Sequence, residues 1–216
     1  MPMLMLLFSA VLPCAAAPDP GTRADAGWIL QKLARPAPMR TGFVELRGSP
    51  MLKAPLRIEG EYRRPDNDTL VREVRAPYAE TTTLRKGQAT IVRAGGKART
   101  FSLARVPELS GLQASFGALL SVDRAALEKH YRLATQGTQQ QWTMVLTPLA
   151  AQSASTAGNA VRDITLYGRG AELRCIETRP LKGELQRTLL AGAATAARSA
   201  TTAEALAALC RAGAAS

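Results

Sequence analysis

Histidine is nearly missing from this chain: His130 is the one histidine in 216 residues. A single imidazole leaves no confident Ser-His-Asp set to assemble. With so few cysteines beside it, a metal site is short of ligands, and none is expected. Aromatic residues are scarce at 5%, and nothing resembles a surface on which nucleic-acid bases stack. Acidic residues are outnumbered, 17 against 28 Lys and Arg, and no carboxylate pair stands out for acid–base work. Glu59 and Glu61 alternate with Arg57 and Arg63, which reads as a solvated strand face. Gly95-Gly96-Lys97 lacks the rest of a phosphate loop and reads as a hairpin turn. There is no internal repeat and no long disordered linker. Together these gaps argue against an enzyme and against any bound cofactor.

One apolar run does stand out, at the start. Met1 to Ala17 reads MPMLMLLFSAVLPCAAA, an apolar core followed by small residues. It is too short for a spanning helix, which needs about 20 apolar residues, and it fits a secretory signal peptide although its first residues carry no positive charge. Cleavage is expected near Ala16, since Pro18 sits badly just after a cut. Pro13 before Cys14 spoils a lipid-attachment pattern, so Cys14 is expected to leave with the signal. Residues 18–216 then form one domain, and the expected compartment is the periplasm. Two cysteines remain there, Cys175 and Cys210. In an exported chain they suggest a disulfide; the alternative is two buried thiols. The net charge of +11 suits an anionic membrane surface or an acidic partner. Export argues against nucleic acid.

Along the domain, periodicity predicts a helix over Thr22 to Arg35, with Thr22 and Asp25 at capping-box spacing and a stripe of Trp28, Ile29 and Leu33. Strict alternation follows. Leu56, Ile58, Gly60 and Tyr62 face one way along a half-buried strand. Phe43–Arg47, Leu70–Arg75, Glu80–Arg85, Ala89–Arg93 and Lys97–Leu103 read as its neighbours in an antiparallel meander, separated by short turns. Leu112, Phe116, Leu119 and Leu120 share a helical face. Asp123 is placed to cap a second helix on which Leu127, His130 and Tyr131 share a face. Strands resume at Arg132–Gln136, then at Gln141–Thr147, where Trp142, Met144 and Leu146 point one way. Ala150–Asn159 reads as a loop. Val161–Tyr167, Ala171–Thr178 and Glu184–Leu190 are three more strands. Ala191–Ala200 is the best flexible segment. The chain ends in an Ala-rich helix with Thr201 and Glu204 at capping-box spacing and an inner stripe of Leu206, Leu209 and Cys210. About ten short alternating strands in one antiparallel sheet curl into a barrel or half-barrel whose apolar face the helices must cover. Pattern leaves open whether the interior is filled or holds a ligand.

Several pieces, in order, resemble a known family. Tyr62-Arg63-Arg64-Pro65, then Leu70-x-Arg72 and Pro77, are similar to the early strands of the LolA-like periplasmic carriers, which shuttle lipoproteins to the outer membrane. Lys86–Arg93 and Phe101–Leu103 lead into the helical insertion, followed by Trp142-x-x-x-Leu146-Thr147-Pro148 and Ile164-x-Leu166-Tyr167-Gly168. The resemblance covers roughly residues 23 to 190. It implies a mainly β fold (α+β): an unclosed antiparallel barrel with helices as a lid over an apolar cavity. It implies that Arg64 latches the lid and that Leu70 lines the cavity. The family often carries an aromatic where this chain has Arg72.

On this reading the expected cavity comprises Leu56, Ile58, Tyr62, Leu70, Val74, Leu112, Phe116, Leu119, Trp142, Met144 and Leu146. The expected function is carriage of an acylated or otherwise lipid-like cargo by a monomer, between an inner-membrane donor and an outer-membrane acceptor. The competing expectation is a periplasmic binding or sensor module, or an assembly accessory protein, with a filled core and a basic working surface.

Overall fold

The computed structural model describes residues 21–47, 56–102, 124–149, 161–200 and 202–212. The signal segment with Cys14, the stretch holding Leu112, Phe116, Leu119, Leu120 and Asp123, and the Ala150–Asn159 loop lie outside these residues.

Alternating side chains make eleven strands: β1 (Met39–Arg47), β2 (Leu56–Arg64), β3 (Thr69–Ala76), β4 (Glu80–Arg85), β5 (Gln88–Arg93), β6 (Arg99–Ser102), β7 (Tyr131–Thr138), β8 (Gln141–Pro148), β9 (Val161–Arg169), β10 (Glu172–Pro180) and β11 (Gln186–Leu190). They form one antiparallel sheet in the order β6-β5-β4-β3-β2-β1-β11-β10-β9-β8-β7. The sheet is not closed, as its edges β6 and β7 do not pair. The β1–β11 pairing, with Phe43 opposite Leu190, joins the two meanders.

Glycines let the sheet curl. Phe43 lies opposite Gly60, with its ring 2.8 Å from where a Cβ would sit. Trp142 lies opposite Gly168, and any Cβ there would overlap its indole. In both pairs an aromatic ring covers bare glycine backbone, which allows a tighter bend than two ordinary side chains. A register shift between Glu59 and Gly60 adds local twist.

The alternation sorts residues into two apolar clusters. On the concave face α1 (Ala26–Leu33) and α2 (Arg124–Glu128) pack Ile29, Leu30, Leu33 and Leu127 against the strands. On the convex face α3 (Ala191–Ala196), a short 3-10 turn (Ala197–Ser199) and α4 (Ala203–Arg211) cover Val44, Leu46, Cys175 and Leu189. Cys175 and Cys210 are bonded, with Cα atoms 5.3 Å apart, which pins α4 to β10.

Several local expectations need correction, and β1 starts at Met39 rather than at Phe43. Asp25 is itself the cap of α1, accepting from the Trp28 amide at 3.0 Å, so the helix starts later than Thr22. The segment before it instead makes an antiparallel bridge from Arg23 to Thr138. In the buried stripe of α1, Leu30 takes the place given to Trp28. His130 and Tyr131 are not on a helix face: α2 ends at Glu128, and Tyr131 opens β7. Thr202, not Thr201, caps α4, accepting from the Ala205 amide at 3.1 Å. The segment Ala191–Ala200 is folded: Ala193, Ala194, Ala197 and Ala200 are buried because alanine lets a helix approach a sheet closely and is the strongest helix former.

Candidate functional site

The concave face gathers most of the residues singled out by pattern. Ile58 and Tyr62 on β2, Leu70 and Val74 on β3, and Trp142, Met144 and Leu146 on β8 are all buried in one cluster with α1 and α2. Leu56 is half-buried against it. Leu112, Phe116 and Leu119 fall outside the described residues. Trp142 satisfies its indole N–H on the Gly170 carbonyl at 2.9 Å.

A charged pair sits in this apolar surface. Glu45 alternates with Phe43 on β1, so it too faces the concave side and is 4% exposed. Arg72, opposite Tyr62, donates to Glu45 Oε2 at 3.1 Å. Its guanidinium carbon lies 4.8 Å from the centre of the Phe43 ring, a cation–π contact. Phe43 and Tyr62 are in ring contact, 4.8 Å apart. Burial pushes the Tyr62 phenol up to about 12, with Arg72 partly opposing it. Burial works against the Arg72 charge, but Tyr62 and Glu45 outweigh it and raise its pKa. The family resemblance marks Arg72 as a departure, and alternation along one strand says nothing of its partner. The two are 27 residues apart, and only the β1–β2–β3 register brings them together.

Arg64 ends β2 on this face and is 7% exposed. It donates to the Arg35 carbonyl at 2.9 Å and to Asn67 Oδ1 at 3.1 Å. Arg35 lies just past the end of α1, where helix carbonyls lack internal partners. Arg35 in turn donates to the Ala171 carbonyl at 3.2 Å, in the β9–β10 turn. The end of α1 is thus tied to both halves of the sheet.

A cleft of about 410 Å³ opens beside this tie. Leu33, Met39, Leu173 and Leu190 give it an apolar lining, and Arg35, Arg40 and Glu172 provide charge. None of the described residues expected to line a cavity lines this cleft. The signal that marks it is weak: apolar Met39 just beyond Pro36 and Pro38, at a strand start where alternation is not yet clear.

The expected solvated face is also more structured than its pattern suggests. Arg63 pairs with Glu73 and Arg75 with Glu61, as a wet strand face does. Arg57 pairs with Glu59 at 2.6 Å and also donates to the carbonyls of Ala197 at 2.8 Å, Arg198 at 3.4 Å and Ala200.

The chain matches the family model "Outer membrane lipoprotein carrier protein LolA-like" over residues 15–213. Among solved structures it resembles the LolA superfamily protein NE2245 from Nitrosomonas europaea, with 11% identity and a TM-score of 0.38, covering 76% of this chain and 89% of that one. It also resembles LprF from Mycobacterium bovis, with 14% identity and a TM-score of 0.32, covering 80% and 94% respectively. No curated protein matches it. The whole described fold lies inside the matched span, and on that match the chain belongs to the LolA-like family of outer membrane lipoprotein carrier proteins.

Proposed function

We propose that the protein is a periplasmic carrier that takes an acylated or otherwise lipid-like cargo onto its concave apolar face and delivers it toward the outer membrane. The observation that carries this reading is the construction of that face. An unclosed sheet presents a largely apolar surface with the Glu45–Arg72 pair set in it, and α1, which covers it, is tied at its end through Arg64, Arg35 and Ala171. Moving α1 aside would expose the surface without breaking a strand. An acyl chain that took its place would recover about 0.8 kcal/mol per buried methylene, so a sixteen-carbon chain would gain about 12 kcal/mol before the entropy of binding and the displacement of α1 are subtracted. That balance suits a protein that must release as well as bind. Arg64 acts in this mechanism as a latch that favours the covered state. Donor and acceptor proteins in the two membranes would complete the route. The +11 charge would favour approach to anionic membrane surfaces.

A second reading has an observation of its own. Seven of the expected cavity residues are buried in a cluster that α1 and α2 already fill, as in a protein with a packed core that works through its basic surface. One experiment separates the two. Organic extracts of protein purified from its native periplasm are analysed by mass spectrometry. A stoichiometric acylated molecule is the expected result. Protein that comes out empty and also fails to bind a fluorescent fatty acid would sink the carrier reading in favour of the packed one.

A further inference from the structure

The charges around the cleft at the end of α1 are not balanced. Glu172 is engaged, accepting from Arg174 at 3.4 Å and from the Gly192 amide at 3.2 Å. Arg35 uses one N–H on the Ala171 carbonyl and makes no ion pair among the described residues. Arg40 has no hydrogen bond or ion pair among the described residues, and its partner across the strand is another arginine, Arg63. The acid that Arg40 is coupled to, Glu73, is already shared by Arg63 and Arg75. Arg35 and Arg40 both line the cleft, and the one acid in its lining, Glu172, is engaged, so an anion there would meet two guanidinium groups. The rest of the lining is apolar, and Leu33 and Leu190 continue directly into the concave core. At about 410 Å³ the cleft is at the small end of ligand sites, room for one tail and not several.

We propose that this cleft binds an anionic single-chain amphiphile, its head between Arg35 and Arg40 and its tail on Leu33, Met39, Leu173 and Leu190. The idea deepens the carrier reading and rests on it for its physiological sense. It also gives Arg35 a double part. Its carbonyl holds the latch from Arg64, while its guanidinium meets the head group, so a bound anion competes with the Ala171 carbonyl for the same side chain. Occupancy of the cleft would then loosen the tie at the end of α1. The anion could be a carboxylate or a phosphate monoester, and both offer the paired oxygens that a guanidinium prefers.

The test is calorimetric titration of the mature chain with decanoate, decyl phosphate, uncharged decyl glucoside and inorganic phosphate. One of the two anionic amphiphiles should bind at least about ten-fold more tightly than the glucoside. Preference between them names the head group. Arg35→Gln and Arg40→Gln should each weaken that binding about ten-fold, and Ala171→Trp should block the cleft. Arg40 is exposed, so Arg40→Gln keeps the test open if the tryptophan variant does not fold. Equal binding of the glucoside, or unchanged affinity in the Arg35→Gln/Arg40→Gln double variant, would overturn the proposal. So would inorganic phosphate binding as tightly as decyl phosphate, because the apolar lining would then be idle. Failure here is distinct from failure of the carrier reading. Arginine-dependent binding in a protein that leaves the periplasm empty keeps this site and removes the carrier, and an acylated extract without arginine-dependent binding does the reverse.

Discussion

On the convex face, α3 and α4 bury alanines against the sheet, a disulfide ties α4 to β10, and Arg57 grips three carbonyls of the segment between them. On the concave face, α1 buries isoleucine and leucine and is held past its end by Arg64. Both arginines belong to β2, seven residues apart. An odd spacing on a strand puts them on opposite faces, so one strand clamps both covers, one at each of its ends. The same device serves two ends. Small residues, a covalent tie and several carbonyl contacts make a cover that stays. Large apolar residues with two arginine–carbonyl ties at one end and no covalent bond make a cover whose displacement leaves a greasy surface for something else to occupy.

The largest test of this contrast removes the covalent tie. The bond closes a loop with a sequence separation of 35, for which the chain-entropy model gives about 4 kcal/mol. A Cys175→Ser/Cys210→Ser variant should therefore lose about that much in denaturant unfolding. Binding of an amphiphile on the concave side should stay within about two-fold once the variant is folded. A large loss of binding in still-folded protein would break the claim that the two covers are independent.

Next come the two arginines. Arg57→Ala strands the carbonyls of Ala197 and Ala200 and should cost about 3 kcal/mol, with increased hydrogen exchange confined to α3 and α4. Arg64→Ala should cost about 2 kcal/mol and raise exchange in α1 instead. It should also speed both uptake and release of a fluorescent fatty acid. Equal effects of the two substitutions on exchange across the whole sheet would show that the covers open together.

How much of this was legible beforehand follows from how local each signal is. Alternation within one strand, as at Leu56 to Tyr62, is carried by adjacent residues, so the meander and the concave face could be read directly. The start of β1 is not marked by pattern because Met39 to Gly42 offers no apolar alternation; its pairing with Glu61 to Arg64 supplies what the pattern lacks. The grip of Arg57 could not be read, since alternation says which face a residue takes and nothing about what lies over that face. Buried Glu45 was invisible for the same reason: its partner Arg72 comes from a different strand. The alanine cover reads as flexible because it lacks large apolar residues, although alanine's helix propensity points the other way.

Tyrosine ionisation compares the two faces by a smaller effect. Tyr62 on the concave side and Tyr167 on the convex side both have phenols pushed up to about 12. Burial is the main cause in each; Arg72 opposes it at Tyr62, whereas Glu177, which accepts from the Tyr167 hydroxyl at 3.0 Å, reinforces it. A raised phenol pKa gives stability that is fully present below pH 10, the ordinary tyrosine value, and is lost as pH rises from about 10 to about 12. For the fully buried Tyr62 the loss should be on the order of 2 kcal/mol. Tyr167 is half-exposed, so solvent screens its share. Tyr62→Phe should accordingly flatten more of the fall in stability above pH 10 than Tyr167→Phe, and the reverse order would place the drier phenol on the convex face.

The smallest test lies where the two faces meet. Ala191 joins β11 to α3 and lines the cleft, and its φ is +48°, a left-handed conformation that alanine adopts only under constraint. The chain turns there because Leu189 and Leu190 go to opposite faces and the next residues must rise over the convex one. Glycine takes that conformation without a Cβ clash but loses more freedom on folding. Ala191→Gly should then raise stability by about 0.5 to 1 kcal/mol, or roughly 1 to 4 °C in Tm. Were the strain held in place by the grip of Arg57 on the convex cover, the gain would shrink in an Arg57→Ala background, where the junction can relax on its own. An undiminished gain there would mean that Ala191 is strained by the sheet itself, and that the fixed cover merely accepts the direction in which β11 delivers the chain.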